Sequence, residues 1–217
     1  MSRDAGLAGR LALYLVADPD QTNSSLLDDV ADALAGGVTA VQLRAKTLSD
    51  REALWLARKM RELCTEASAL FIVNDRIDIA LASAADGVHL GVDDLPLEAA
   101  RQIGGEEFII GYSPETDDQT TEGSDRGADY LGVGPVYGTK SKNDAGAAIG
   151  LDVIRRRANL VGIPLIGIGG ISADNATAVI ESDAVGVAVV SSILRSDDPR
   201  IAASRLAAVV RNALSSK

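Results

Sequence analysis

Cysteine, aromatic residues, histidine and lysine are all scarce in this chain of 217 residues. Its one cysteine, Cys64, excludes an internal disulfide, so we expect a reduced, cytoplasmic protein. Aromatic residues make up only 3% of the chain, and the core must therefore be built from valine, isoleucine, leucine and alanine. Such a core is typical of parallel strands that are covered on both faces by helices.

Positive charge is also in short supply. The chain has 21 lysine and arginine residues against 31 acidic ones, which gives a net charge of −10. No basic field exists to attract a polyanion, which argues against a general nucleic-acid or anionic-membrane binder. No apolar run approaches the ~18 residues that cross a bilayer, and the first residues lack the basic and apolar regions of a secretory signal. We therefore expect small-molecule partners, with any phosphate held locally.

What the sequence does contain is a repeat of short β-branched runs, each followed by a segment with helical spacing of apolar residues. Eight such units in this length predict a single-domain (β/α)8 TIM barrel over residues 1–217. An open doubly wound sheet usually has fewer strands. The predicted strands cover residues 11–18, 40–45, 70–75, 87–92, 108–113, 130–137, 164–170 and 186–193.

Serine and proline residues mark the starts of several predicted helices. The Ser24–Ser25 pair precedes one helical segment, and Ser49 precedes another with Glu52 three residues later, the spacing of a capping box. Pro199 stands in the first turn of the last helix. Residues 115–128 lie where a helix is expected, although their apolar periodicity is poor.

Polar residues cluster at the carboxyl ends of the predicted strands, where barrel enzymes carry their active sites. A single polar residue there is as often a turn residue or a helix cap. Enrichment at six or more strand ends together favours a functional site. These residues are Gln42, Arg44, Asn74, Asp75, His89, Ser113, residues 139–142, Gly169, Gly170 and Ser191.

The last two strands predict a phosphate site. Glycines in "GIGGIS" let the backbone of the seventh strand end come close to a ligand, and "VVSSI" ends the eighth strand with amides and hydroxyls. The loops after these two strands are the usual phosphate site of such barrels. The alternative for "IGGI" is a tight turn without a ligand.

Carboxylates follow the third and fourth strands. Asn74 and Asp75 end one of them, and Asp93 and Asp94 follow the other. Adjacent strands are ~5 Å apart, so one carboxylate from each could share a cation such as Mg²⁺, which completes its shell with water and substrate phosphates. The alternative for each aspartate is N-capping, and Asp93 and Asp94 do precede a predicted helix.

The second strand and the only histidine add further candidates. Alternation in "QLRAK" places Gln42, Arg44 and Lys46 on one face, where they can bind an anion at the barrel mouth. His89 lies within the fourth predicted strand. It fits a hydrogen-bonded core residue as well as it fits a ligand contact.

Six stretches between Leu13 and Pro199 resemble, in order, the thiamine-phosphate synthase family. They are "GGVTAVQLRAK", "FIVNDRIDIALASAADGVHLGVDDLPLEAAR", "GADYLGVGPVY", "DAGAAIGLD", "IPLIGIGGIS" and "GVAVVSSI". Members of that family join a hydroxymethylpyrimidine diphosphate to a thiazole phosphate on a (β/α)8 barrel with Mg²⁺. The products are thiamine phosphate and pyrophosphate, and the two phosphorylated precursors are the partners that the resemblance implies.

The resemblance also implies a role for each matching residue. The metal ligands would be Asp75 and Asp94. The catalytic set would be Arg44, Lys46, Ser113 and Lys142. Substrate contacts would come from Gln42, Arg44, Lys46, Asn74, His89, Ser113, Thr139, Ser141, Lys142, Gly170, Val190 and Ser191, with the last three at the thiazole phosphate.

Three positions depart from the family pattern. Val92 replaces a glutamine near the metal, Glu115 replaces a histidine that follows the fifth strand in many members, and Gly138 replaces a proline in the loop of Lys142. None of these changes removes a metal or diphosphate residue.

Two other functions on the same barrel remain alternatives. A thiazole tautomerase, which is related to the synthase, relies on a histidine where this chain has Glu115. A non-catalytic sensor of phosphorylated metabolites would have no need of Asp75, Asp94 and Lys142 together. A phosphosugar isomerase would need an acid/base pair that we do not find in the sequence.

Two further expectations concern charge. We expect Lys142 to neutralise the departing diphosphate and Lys140 to be solvated. The excess of acidic residues resembles that of salt-adapted proteins.

A homo-oligomer is compatible with the sequence.

Overall fold

The computed structural model describes residues 3–22, 24–138 and 146–217, with the backbone alone for residues 3–5. Its eight parallel strands follow one another in chain order around a closed barrel, which β8 completes by pairing with β1. The predicted (β/α)8 barrel is therefore confirmed. The strands are β1 Leu13–Ala17, β2 Ala40–Leu43, β3 Leu70–Asn74, β4 Gly87–Gly91, β5 Ile109–Ser113, β6 Tyr130–Val133, β7 Leu165–Ile168 and β8 Gly186–Val189.

Helices cover the outside of the barrel. The first, α1 Arg3–Arg10, precedes β1. In the part of the chain that is described, none is long and apolar enough to cross a membrane. The others follow the strands in turn: α2 Leu26–Ala35, α3 Asp50–Glu66, α4 Ile77–Ala82, α5 Leu97–Gly104, α6 Asp117–Asp125, α7 Leu151–Ala158, α8 Ala176–Glu181, α9 Ser191–Leu194 and α10 Pro199–Ser215.

The predicted helix starts are confirmed. Ser25 is the N-cap of α2, and Ser49 forms a reciprocal capping box with Glu52 at the start of α3. Pro199 is the first residue of α10, whose N-cap is Asp198. Each cap satisfies backbone N–H groups that have no partner within the helix.

The segment with poor periodicity forms α6. Thr116 and Gln119 make a capping box at its start, and its buried positions are Thr120 and Gly123. Gly123 packs so close to Tyr112 that a Cβ atom would lie 2.6 Å from the ring. A helix that buries a threonine and a glycine shows little apolar periodicity, which explains the weak sequence signal.

Seven of the eight strands end earlier than predicted, and β5 ends at Ser113 as predicted. Pro135 has no N–H to donate, and β6 ends at Val133 instead of residue 137. The prediction for the eighth strand is also wrong beyond Val189, because Ser191–Leu194 turns into the short helix α9. Ser191 therefore begins a helix at the barrel mouth and does not lie in a strand.

The core has two layers. Side chains that point into the barrel, such as Tyr14 and Ile72, form one buried cluster. Leu7 within α1 and Leu11 just after it belong to the same cluster. Leu7 thus brings α1 against the inward-facing side chains at the amino end of the barrel. The outward-facing strand residues pack against the helices in a second, larger cluster. The barrel is thereby closed at one end, which leaves the carboxyl end for the site.

Candidate active site

A cavity of about 400 Å³ opens at the carboxyl ends of the strands. Three predicted site residues, Thr139, Ser141 and Lys142, lie outside the described residues. All the others line this one cavity: Gln42, Arg44, Lys46, Asn74, Asp75, His89, Asp94, Ser113, Gly170, Val190 and Ser191.

Two carboxylates meet at one side of the cavity. Asp75 follows β3 in a left-handed conformation with φ 62°, and its N–H donates to the carbonyl oxygen of His89 at 2.9 Å. Burial raises the pKa of Asp75, and the adjacent Asp94 carboxylate raises it further. Lys46 opposes that rise, with its Nζ 3.5 Å from Asp75 Oδ2. The result is a partly buried site of concentrated negative charge, which a cation would relieve.

The Asp94 side chain does not cap the helix that follows it. Its Oδ2 accepts from the N–H of Gly91 at 2.7 Å, so the side chain turns back to the end of β4. The helix that follows has Pro96 as its N-cap and no side-chain capping bond. Asp94 is thus held beside Asp75 instead of at a helix end.

The donor set fits Mg²⁺ better than a transition metal. Among the described residues, no group of three or more His, Cys, Asp or Glu side chains is arranged to hold a metal ion. Zinc sites need three or four such ligands, whereas Mg²⁺ is commonly held by one or two carboxylates together with substrate phosphates. Asp75 and Asp94 supply that smaller number.

Arg44 is held by an aspartate that sequence reasoning missed. Asp18, which is 4% exposed and directly follows β1, accepts from Arg44 Nη1 at 2.6 Å through its Oδ2. Its other oxygen accepts from the N–H of Asp20 at 3.0 Å. The pair fixes the guanidinium at the cavity wall. The available signal was position, because Asp18 ends its strand as the other polar site residues do.

A chain of hydrogen bonds crosses the barrel interior beneath the cavity. Gln42 Nε2 donates to Tyr14 OH at 2.9 Å, Tyr14 OH and Tyr130 OH are 2.8 Å apart, and Tyr130 OH is 3.0 Å from His89 Nδ1. The other ring nitrogen, Nε2, is 2.8 Å from Ser113 Oγ. Burial raises the pKa of both phenols, so they remain neutral hydrogen-bonding groups. His89 is therefore both hydrogen-bonded in the interior and part of the cavity wall.

Gly111 makes room for this chain. A Cβ atom at this position of β5 would lie 2.3 Å from His89 Nδ1 and 2.3 Å from the Tyr130 ring. Only glycine lets both rings approach the strand so closely.

The ends of β7 and β8 form the opposite side of the cavity. The two strands pair in parallel up to Ile168 and Ala188, so the turns that follow them are neighbours. Gly170 has φ 67°, and a Cβ atom there would lie 2.7 Å from the carbonyl oxygen of Gly138. Val190 and Ser191 begin the turn into α9 beside it. This place has small residues and backbone amides, and the phosphate site there stays a prediction.

Comparison with known proteins identifies the family. The model of the family described as thiamine monophosphate synthase matches residues 13–193. This chain belongs to that family.

Relatives with known names match this chain over nearly its whole length. A thiamine-phosphate synthase of Moorella thermoacetica is 51% identical over 187 residues, which cover 86% of this chain and 89% of the relative. The thiamine-phosphate synthase of Haloarcula marismortui is 48% identical and covers 91% of this chain and 96% of its own. A solved structure, the thiamine phosphate pyrophosphorylase from Pyrococcus furiosus, superimposes with a TM-score of 0.89 at 39% identity, over 96% of this chain and 99% of its own. The resemblance predicted from the motifs is confirmed.

Two departures from the pattern of the thiamine monophosphate synthase family lie at the cavity. Val92 and Glu115 both contribute to its lining. The N–H of Glu115 donates to Gln119 Oε1 at 2.7 Å, so that its backbone belongs to the start of α6. Neither residue replaces a member of the carboxylate pair or the Arg44 ion pair.

Proposed function

We propose that this chain condenses a hydroxymethylpyrimidine diphosphate with a hydroxyethylthiazole phosphate, giving thiamine phosphate and pyrophosphate. Membership of the thiamine monophosphate synthase family supports this activity, as does the identity with curated thiamine-phosphate synthases. The observation that carries the mechanism is the cavity, which has a carboxylate pair and two cationic side chains on one side and the Gly170 turn on the other.

The diphosphate would lie on the side of β2 to β5. Arg44 and Lys46 carry positive charge at this part of the cavity, and Ser113 Oγ offers a hydroxyl. Asp75 and Asp94 would hold Mg²⁺ there, which would supply positive charge to the diphosphate oxygens. Arg44 is suited to this task because Asp18 already fixes its guanidinium before the substrate arrives.

The thiazole phosphate would lie across the cavity, at the turns after β7 and β8. Gly170, Val190 and Ser191 would contact it, with Gly170 leaving the backbone accessible. The two phosphorylated substrates would then lie on opposite sides, with the pyrimidine methylene and the thiazole nitrogen between them.

The reaction needs no general base. The bond between the pyrimidine methylene and the diphosphate oxygen breaks first, and its electron pair leaves with pyrophosphate. The aminopyrimidine stabilises the resulting cation, and the lone pair of the thiazole nitrogen forms the new carbon–nitrogen bond. No proton is removed, because that nitrogen carries none. The site residues thus act by positioning and by stabilising negative charge as it develops.

Mass spectrometry of the products tests this proposal. The purified chain, both precursors and Mg²⁺ should give thiamine phosphate and pyrophosphate in equal amounts, and omission of either precursor should give no thiamine phosphate. Binding of both precursors without any product would favour the sensor. Turnover of a thiazole precursor in the absence of the pyrimidine would favour the tautomerase.

A further inference from the structure

Arg157 is a buried cation that no sequence motif singles out. It lies near the end of α7 and is 5% exposed. Its Nε donates to Asp117 Oδ1 at 3.0 Å, its Nη1 to the carbonyl oxygen of Pro114 at 3.1 Å, and its Nη2 to that of Glu115 at 2.5 Å. All three nitrogens of the guanidinium are in use, and two of the acceptors are backbone atoms of the turn after β5.

The turn that Arg157 holds is part of the cavity wall. Ser113, Pro114 and Glu115 all line the cavity, and they are consecutive in the chain. Ser113 is the last residue of β5 and its Oγ is 2.8 Å from His89 Nε2, so His89 holds its hydroxyl on one side and the braced turn fixes the chain on the other. The brace also joins two neighbouring barrel units, because the turn follows β5 and Arg157 belongs to the helix after β6.

The residue before it provides a natural comparison. Arg156 binds the same carboxylate, with its Nε 2.7 Å from Asp117 Oδ2, but its side chain is 52% exposed. The ion pair with Asp117 is thus common to both arginines. Only Arg157 of the two is buried beneath the turn and bonded to the carbonyl oxygens of Pro114 and Glu115.

We propose that Arg157 is a positioning residue, which fixes the turn of Pro114 and Glu115 so that Ser113 meets the diphosphate of the pyrimidine substrate. The proposal rests on the proposed function. Arginine is suited to the task because its planar fork reaches several acceptors in fixed directions, whereas lysine has a single nitrogen. The buried charge is balanced by Asp117 and by the two carbonyl dipoles.

The role predicts an effect on one substrate only. Arg157→Lys keeps the charge but loses the fork, and it should raise the KM for the pyrimidine diphosphate by about tenfold or more, the usual value of a hydrogen bond to a charged group. The KM for the thiazole phosphate should stay within about twofold, because its predicted contacts lie at β7 and β8. Calorimetric titration with pyrophosphate and Mg²⁺ should show the same loss of affinity.

Arg156→Lys is the matched control, and it should leave both KM values and the pyrophosphate affinity within about twofold. Equal KM values for the pyrimidine diphosphate in wild type and Arg157→Lys would overturn the proposal. A parallel rise in both KM values would do so too, because it would show general loosening of the fold. If the wild type makes no thiamine phosphate, the proposed function fails, and the pyrophosphate titration still tests Arg157 by itself.

Hydrogen exchange of the wild type supplies a test that needs no variant, should Arg157→Lys fail to fold. A turn that Arg157 braces in advance should protect the Arg157 Nε–H, which donates to Asp117, without ligand, and pyrophosphate should change its exchange by less than about twofold. Exchange near free-peptide rates that slows only when pyrophosphate is added would show that the ligand orders the turn, and the proposal would be wrong.

Discussion

Asp75→Asn should stabilise the metal-free protein while it removes the response to Mg²⁺. The ionised Asp75 side chain destabilises the folded protein in two ways. It is only 26% exposed, and it faces a second carboxylate, Asp94. Two unit charges about 4 Å apart repel by about 4 kcal/mol at an effective dielectric constant of 20. Asparagine abolishes that repulsion, tolerates the left-handed backbone, and can donate an N–H to Asp94.

The expected gain is smaller than the full repulsion. The Lys46 ion pair is lost, although Lys46 is 53% exposed and such pairs contribute at most about 1 kcal/mol. Water screens the two carboxylates further. We therefore expect a net increase of about 1 kcal/mol in the free energy of unfolding, or roughly 2–4 °C in Tm for a chain of this size.

The pH dependence has a definite sign. The pKa of Asp75 in the folded protein is raised above its usual 3.8, so wild-type stability falls as pH rises from 3.8 through the raised value. The advantage of Asp75→Asn should be complete above the raised pKa and should vanish below pH 3.8. Calorimetry from acid to neutral pH, with and without Mg²⁺, measures both effects.

Asp183→Asn is the matched control for the backbone. Asp183 is also left-handed, with φ 72°, but it precedes β8 at the amino end of the barrel. Any gain that asparagine brings to a left-handed residue should appear in both variants, and only Asp75→Asn should lose the Mg²⁺ response. An unchanged or lower Tm for Asp75→Asn without Mg²⁺, or an intact Mg²⁺ response, would refute the reasoning.

Three other predictions concern single residues and salt. Lys142→Ala should lower turnover by about 10² to 10³ with little change in Tm, because one electrostatic contact to the transition state is lost. Lys140→Ala should have a far smaller effect. Equal turnover numbers for wild type and Lys142→Ala at saturating substrate would show that both lysines are only solvated surface residues. Asp18→Asn should lower the free energy of unfolding by about 3 kcal/mol, because it leaves the guanidinium of Arg44 without its charged partner, and an unchanged urea midpoint would contradict this. If the acidic surface reflects salt adaptation, stability and activity should rise with KCl toward molar concentrations, and a steady fall would end that hypothesis.

Much of the fold and part of the site follow from local patterns. Short β-branched runs and the helical periodicity between them predict all eight strands, and the Ser49 and Glu52 pair predicts the start of α3. Asp75 and one of Asp93 and Asp94 could be placed together because adjacent strand ends must meet at one edge of the barrel, and the family resemblance selected Asp94. Strand ends were less predictable, because the point at which β6 and β8 leave the sheet depends on the packing of neighbouring turns.

The missed residues depend on contacts that are remote in sequence. Tyr14 and Tyr130 are 116 positions apart, and each alone is typical of a core aromatic residue in a strand. Asp18 takes its role from Arg44 on the next strand. Arg157 lies in a run of three arginines of which two are exposed, so only the fold distinguishes the buried one.

Single-turnover formation of thiamine phosphate as a function of Mg²⁺ concentration tests the central claim most directly. That claim is that the carboxylate pair holds Mg²⁺ and that this ion and the adjacent cationic side chains stabilise the diphosphate as it leaves. With both precursors bound, the wild type should form thiamine phosphate and pyrophosphate at equal rates that saturate with Mg²⁺. Asp75→Asn and Asp94→Asn should each lose both the rate and its Mg²⁺ dependence. Wild-type rates in either variant, or a wild-type rate that EDTA leaves unchanged, would contradict the account.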